Sequence, residues 1–578
     1  MSSPDAIGGG PSRRNVLLGL GAGAGLAATG RTLSRSPAAE AGASPGLPTG
    51  PQCFGRIFSR LPAFAPPTET VKAALLEVGA PGGILDARDY LSAGPKALIV
   101  DPAVNGNPTS ADPYGTNPDN PTMTAGSTFV GQFIDHDITF DQTSRMGVPQ
   151  NPTLSPNTRT PALDLDSVFG GGPALRPDLY VTNPDGTAGP TLLIGDGGVF
   201  EDVPRIANPD GTYSAILGDP RNDENVIIAG LHCAHIRFYN RVLSELDSMR
   251  LGPYLSAAGV SDLTTPHYRF LVARLLTLWH YQWLLVNEHL PQIVGQPLVD
   301  DIVANGTRYY RPRVGQGYLP IEFGAAAYRF GHSIIRPSYR ANFTSGTVPG
   351  GSPDPAADPF FAPIFDPAQP AFDGPVVTDR DDLLGGYPAP RRYIGWQTFF
   401  DFGDGQVKNN KKVDTSLSSP LFSLPLPAIA PKTEQTPTVL PQRTLLRQLT
   451  WKLPSGQAIA DELGVDRLTR RELSDIASIY KPFGARTPLW YYVLAESKHV
   501  TGGLHLGPTG GRIVAETLIG LLRADPSSYL SAAPRFTPFL DADLVLGPRT
   551  NPSITGTSTY TQAHFLHYAG AVQSGVYR

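Results

Sequence analysis

Apolar positions recur at helical spacing over several stretches of this chain. Phe129, Val130, Phe133 and Ile134 mark one buried helix face within residues 129–144. The same rhythm predicts a long helix over 218–242, entered through the polar turn GDPRNDEN, and another over 270–295, broken at Pro291. Shorter or later helices are expected over 71–79, 445–464 and 488–522, and the alanine-rich stretch 321–335 reads as helical. Between them, residues 45–70, 105–120 and 342–388 are rich in Pro, Gly, Asn and Asp and predict loops. No internal repeat and no linker separates two cores. The expected fold is therefore mainly α, one large helical domain with long loops and little β.

Polar residues interrupt the first of these helices in an unusual way. Gln132 and His136 are four residues apart and share a face, while Asp135 and Asp137 point about 100° to either side of the histidine. Buried polar groups without partners cost free energy. A histidine, two carboxylates and an amide on an otherwise apolar helix therefore point to a pocket that does chemistry.

Composition narrows the class. The 578 residues include 62 Gly and 59 Pro, so about a fifth of the chain is turn formers, consistent with long loops rather than a plain bundle. A net charge of −5 gives no electrostatic case for nucleic-acid binding. Two cysteines, Cys53 and Cys233, supply neither a disulfide framework nor a thiolate metal cluster, and a single bridge between them stays open. Arg13 and Arg14 precede an apolar, glycine-rich run ending near Ala28, followed by small-residue cleavage sites at 39–41 and 41–43. That order resembles a bacterial twin-arginine export signal. It implies a cleaved or disordered segment 1–43 and a mature domain 44–578, handled by the twin-arginine machinery and working in the extracellular, periplasmic or cell-envelope space.

Three separated motifs carry a family resemblance: GQFIDHD at 131–137, GDPRNDE at 218–224 and YRFGHS at 328–333. Their identity and order resemble the animal-type haem peroxidases of the peroxidase–cyclooxygenase superfamily, and weaker likeness extends from about residue 50 to near the C-terminus. The resemblance implies haem b between two histidines. His332 would be the proximal iron ligand, with Arg329 and Arg447 meeting haem propionates. His136, on the distal side, would take a proton from hydrogen peroxide and return it to the leaving oxygen, with Arg221 stabilising the developing charge and Gln132 holding peroxide, water or halide. A ferryl haem would then draw electrons from an organic or halide donor.

Further features follow from the same resemblance. Asp137, Thr160, Ala162, Asp164 and Asp166 would bind Ca2+ through hydroxyl, carbonyl and carboxylate oxygens. Asp135 and Glu224 stand where relatives form ester links to the haem. Asn225 replaces a methionine that makes a sulfonium link in one mammalian member, which excludes that bond. Thr444 occupies the place of an asparagine that usually holds the proximal imidazole. Two other functions compete. A fatty-acid oxygenase would need a tyrosine three residues before the proximal histidine, where this chain has Arg329; Tyr328 is expected to face about 100° away. An exported adhesion or matrix protein with a peroxidase fold would not need intact His136, Arg221 and His332. His232, His235, His564 and His567 read as ordinary core histidines.

Overall fold

The computed structural model describes residues 52–99, 115–198, 200–344, 346, 354, 357–369, 379–388, 391–425, 437–538 and 560–572. The chain divides into two units, Met1–Ser44 and Pro45–Arg578. The first unit, on which the expected export signal and cleavage sites fall, lies outside the described residues, as do parts of the 342–388 loop and most of the 105–120 loop.

Among the described residues helix takes 44% and strand 10%, so the second unit is mainly α. Its helices of eight or more described residues are α1 (Glu69–Val78), α2 (Gly126–Ile138), α3 (Val226–Glu245), α4 (Pro266–Leu284), α5 (Gln296–Asn305), α6 (Leu440–Thr450), α7 (Gly456–Leu463), α8 (Leu489–Val500) and α9 (Pro508–Ala524). The strands are short and mostly paired two by two; the one three-stranded sheet among the described residues joins Gln52–Gly55 to Pro156–Asn157 and Leu319–Pro320. Helix packing, not a sheet, therefore forms the core.

Local chemistry sets the helix ends. Asn225 caps α3 by accepting from Ile228 N at 3.0 Å, and Thr265 caps α4 through Tyr268 N at 3.1 Å. Apolar residues of α2, α3 and α4 join one continuous core, in which Phe129, Phe133, Ile227, Leu276 and Ile134 are almost wholly buried. Four expectations change in detail. Helix α2 stops at Ile138, so residues 139–144 leave it as irregular chain. The 270–295 helix is not broken at Pro291; its irregularity is a π-helical segment, Leu285–His289, and Pro291 sits in the first turn of the next helix, where its missing N–H costs nothing. The 445–464 stretch forms two helices, because Pro454 follows the positive-φ residue Lys452 and Ser455 starts a new cap on α7. The 488–522 stretch likewise splits into α8 and α9.

Candidate active site

A cavity of about 540 Å3, within the range of small-molecule and cofactor sites, lies between α2, the Gly218–Asn225 turn and the segment around His332. His136, Gln132, Asp135, Arg221 and Glu224 line it, and so do His332, Arg329, Thr444 and Arg447. Three sequence motifs nearly 200 residues apart thus share one pocket.

On the α2 wall, His136 is buried and its Nδ1 lies 2.9 Å from Asn222 Oδ1. A carbonyl oxygen only accepts, so Nδ1 carries the proton and Nε2 is left bare. Burial, reinforced by the Arg221 charge, holds the imidazole neutral with a pKa of about 3. Its Nε2 stands 3.8 Å from Glu224 Oε1. Gln132 donates from Nε2 to that same oxygen and accepts from Asn225 Nδ2 at 3.4 Å. Burial raises Glu224 to about 8 against the pull of Arg221, and burial raises Asp135 against Arg329 and Arg221.

Arg221 is fixed from several directions. It donates to Asp219 through its Nε at 3.0 Å and Nη2 at 2.8 Å, and to the carbonyls of His136 at 3.1 Å and Thr139 at 2.7 Å. Its Nη1 is 4.0 Å from Asp135 Oδ2, and its plane lies over the Phe140 ring. Burial opposes charge on Asp219, yet Arg221 outweighs it and holds this carboxylate near 2. Arg221 thus pairs with Asp219 and lines the cavity at once. Asp219 and Asn222 carry this wall's order, and sequence reasoning missed both as site residues. The only signal for them was the density of polar residues in GDPRNDE.

The opposite wall is built by the 310 turn Ala327–Phe330 and the single α turn Gly331–Ile334, a break from the continuous helix expected there. His332 Nδ1 is 3.4 Å from Thr444 Oγ1, whose hydroxyl donates to Leu440 O at 3.2 Å. Thr444 therefore has a lone pair for Nδ1–H, leaving Nε2 as the bare nitrogen. Burial, then Arg329, Arg447 and Arg443, push the imidazole pKa well below its usual value. The indole of Trp490 packs edge-on to this ring and donates to Arg329 O at 3.0 Å. Beyond its chain neighbours and the backbone of its own turn, no atom lies within 4 Å of where a Cβ on Gly331 would stand, and Gly331 lines the cavity beside His332. Arg329, Arg443 and Arg447 line that space; burial and mutual repulsion lower Arg329 to about 10. Arg447 reaches Asp141 only at 3.5 Å. A neutral imidazole in a cavity lined by three arginines fits haem, a planar iron chelate with two carboxylates. Arg443 was not anticipated. Tyr328, expected to face away, also lines the cavity, and its hydroxyl lies 3.3 Å from His289 Nε2.

Asp137 leaves α2 on the other side. Ligand oxygens of Asp137, Asp164 and Asp166 all lie within 4.8 Å of one another. Thr160 donates from Oγ1 to Asp164 at 2.8 Å, and Ala162 is buried in the same loop. Leu165, at φ 53°, holds the loop in a left-handed turn that a branched residue rarely adopts. Asp137 accepts from Ser167 at 3.2 Å and Leu165 N at 3.1 Å. Buried Asp164 Oδ2 and Asp166 Oδ1 have no hydrogen-bond partner, and Arg274 and Arg159 stop 3.7 and 3.6 Å away. Convergent carboxylates with unpartnered oxygens suit a hard cation such as Ca2+. Cys233 is free and buried, which removes the bridge to Cys53. No helix among the described residues is long and apolar enough to cross a membrane.

Comparison with known proteins is consistent with this arrangement. Residues 151–366 match the family model described as animal haem peroxidase. A human protein named Probable oxidoreductase PXDNL is 29% identical over 171 residues, which cover 29% of this chain and 10% of that one. The Peroxidase-like protein of Margaritifera margaritifera is 27% identical over 222 residues, covering 35% of this chain and 24% of that one. The chain thus spans a quarter or less of the length of these relatives. Peroxidase A from Dictyostelium discoideum shares the fold, with a TM-score of 0.52 at 16% identity, over 91% of this chain and 95% of that one.

Proposed function

We propose that this chain, which carries animal haem peroxidase sequence within a fold shared with a solved peroxidase, is an exported haem-dependent peroxidase. It would reduce hydrogen peroxide and oxidise a small organic or halide donor. One observation supports this reading above the rest: two histidines, each with its Nδ1 beside an acceptor oxygen and its Nε2 left bare, line one cavity.

His332 Nε2 would hold the haem iron, and Arg329, Arg443 and Arg447 its propionates. When bound, haem supplies the electrons that cleave the O–O bond. The chain's own groups handle the protons. His136 Nε2 takes a proton from peroxide and returns it to the departing oxygen, a role that needs the lone pair to face the cavity. Arg221, held by Asp219, offers fixed positive charge where negative charge grows on oxygen. Gln132 and Glu224 form the polar edge that orients the small substrate. Glu224 and Asp135 are the carboxyl groups an ester link to haem would use. Ca2+ at Asp137, Thr160, Ala162, Asp164 and Asp166 would hold the end of α2, and so His136, in place. Twin-arginine export through residues 1–43 completes the proposal.

The test is an absorption spectrum of the haem-loaded chain before and after stoichiometric peroxide, beside His136→Ala. The wild-type haem band should shift and return when a phenolic donor is added. His136→Ala should keep its haem and react about 10²–10⁴-fold more slowly. A haem band that peroxide leaves unmoved in the wild type would defeat the proposal in favour of an adhesive protein with a peroxidase fold.

A further inference from the structure

Asn222 stands between two buried histidines that come from different helices. Its Oδ1 is 2.9 Å from His136 Nδ1 and its Nδ2 is 3.0 Å from Nδ1 of His232 on α3. The three side chains belong to residues 4%, 0% and 1% exposed, so bulk water does not compete for these bonds. His232 is also packed edge-on against Phe133 of α2.

An amide joins these rings in one direction at a time. With Oδ1 toward His136, that ring must carry its proton on Nδ1 and leave Nε2 bare; Nδ2 then needs a bare Nδ1 on His232. Rotated by half a turn, the amide demands the reverse at both ends. His136 would then place an N–H in the cavity and could not accept a proton there. The single amide supplies one acceptor and one donor, so in either orientation one of the two Nδ1 atoms bears a proton and the other is bare. We propose that His232 is a positioning residue which, through Asn222, sets the tautomer of His136 and thereby whether the cavity-facing nitrogen is a base. Its consequence for rate rests on the peroxidase reading; the linkage between the two rings does not.

The test is 15N-histidine NMR of the full chain, haem-free and in the diamagnetic ferrous carbon monoxide form, together with the rate of reaction with peroxide. In the wild type His136 should be protonated on Nδ1. His232→Leu removes the acceptor for Nδ2 and should give a mixture at His136. The peroxide rate should drop by the fraction of competent tautomer lost, about tenfold for a nine-tenths loss, at unchanged haem uptake. His232→Gln, whose side-chain oxygen can replace the acceptor, should restore both. Asn222→Asp, nearly isosteric, accepts at both ends and should switch His232 to the Nδ1–H form while His136 stays as it was. A wild-type His136 protonated on Nε2, or a His232 unmoved in Asn222→Asp, would overturn the proposal. Tautomers that shift together in a chain inert to peroxide would uphold the linkage and refute the peroxidase reading.

Discussion

The two histidines that face the cavity are held in opposite ways. His136 is gripped by a 2.9 Å bond to an amide that is itself tied to another ring, and its neighbour Arg221 makes four side-chain hydrogen bonds. His332 has a 3.4 Å contact with a threonine hydroxyl whose proton is engaged elsewhere, and the arginines around it are thinly paired. Proton transfer fails if the base is misplaced, so the α2 wall is preorganised by the protein alone. An iron–nitrogen bond orients its own ligand, and a bound dianion would pair the arginines. On the peroxidase proposal, haem would complete that wall.

The largest effect that tests this contrast is expected at Arg221. Asp219 is fully buried, and removing the Arg221 side chain leaves it Arg159, at 3.4 Å, and the backbone N–H of residue 221, at 2.9 Å. Breaking such a pair costs about 3–5 kcal/mol. Arg221→Ala should lower the thermal midpoint clearly and slow the peroxide reaction roughly 10²-fold or more. Adding Asp219→Asn should recover stability without recovering rate. If the double variant melts as low as the single one, the buried charge is not what Arg221 compensates.

An intermediate effect is expected on removing the cation. The Asp137 cluster lies one residue from His136 and far in sequence from His332, so chelation should disturb one wall and spare the other. The melt should fall by the linkage of a bound ion, about 2.7 kcal/mol at a hundredfold excess over Kd. Peroxide reactivity should drop while the haem band persists, and Ca2+ should restore both. Asp166→Asn should abolish the response. Loss of haem together with the cation would mean that the two walls are not independent.

How legible each wall was follows from sequence distance. Gln132, Asp135, His136 and Asp137 share one helix, so helical spacing alone placed them on their separate faces. Thr160, Asp164 and Asp166 share one loop, and alternation brought their oxygens together. Helical periodicity gave the mainly α fold and missed its interruptions, because the π-helical segment before Pro291 and the positive φ at Lys452 depend on tertiary packing rather than local propensity. Asn222 was invisible as a partner, since its role needs His232, ten residues away on the next helix, to face the same point as His136. Trp490 meets His332 and Arg329, and Asp141 meets Arg447, only across more than 150 residues of sequence, beyond any local pattern. Thr444 was placed beside His332 by motif resemblance, not by spacing, and the structure brings the two within 3.4 Å.

The smallest expected effect belongs to that contact. A strong acceptor at Nδ1–H makes an imidazole ligand more electron-rich and favours the oxidised iron. At 3.4 Å the threonine bond is long, so its loss should matter little. Thr444→Val should keep haem and raise the midpoint potential by about 40 mV or less, the equivalent of about 1 kcal/mol for one electron. Thr444→Asn brings a stronger acceptor on a longer arm and should lower the potential by more than Val raises it. Spectroelectrochemical titration of the three proteins decides the point. A large rise in Thr444→Val would mean that the proximal ring is gripped as firmly as the distal one, and the contrast between the walls would collapse.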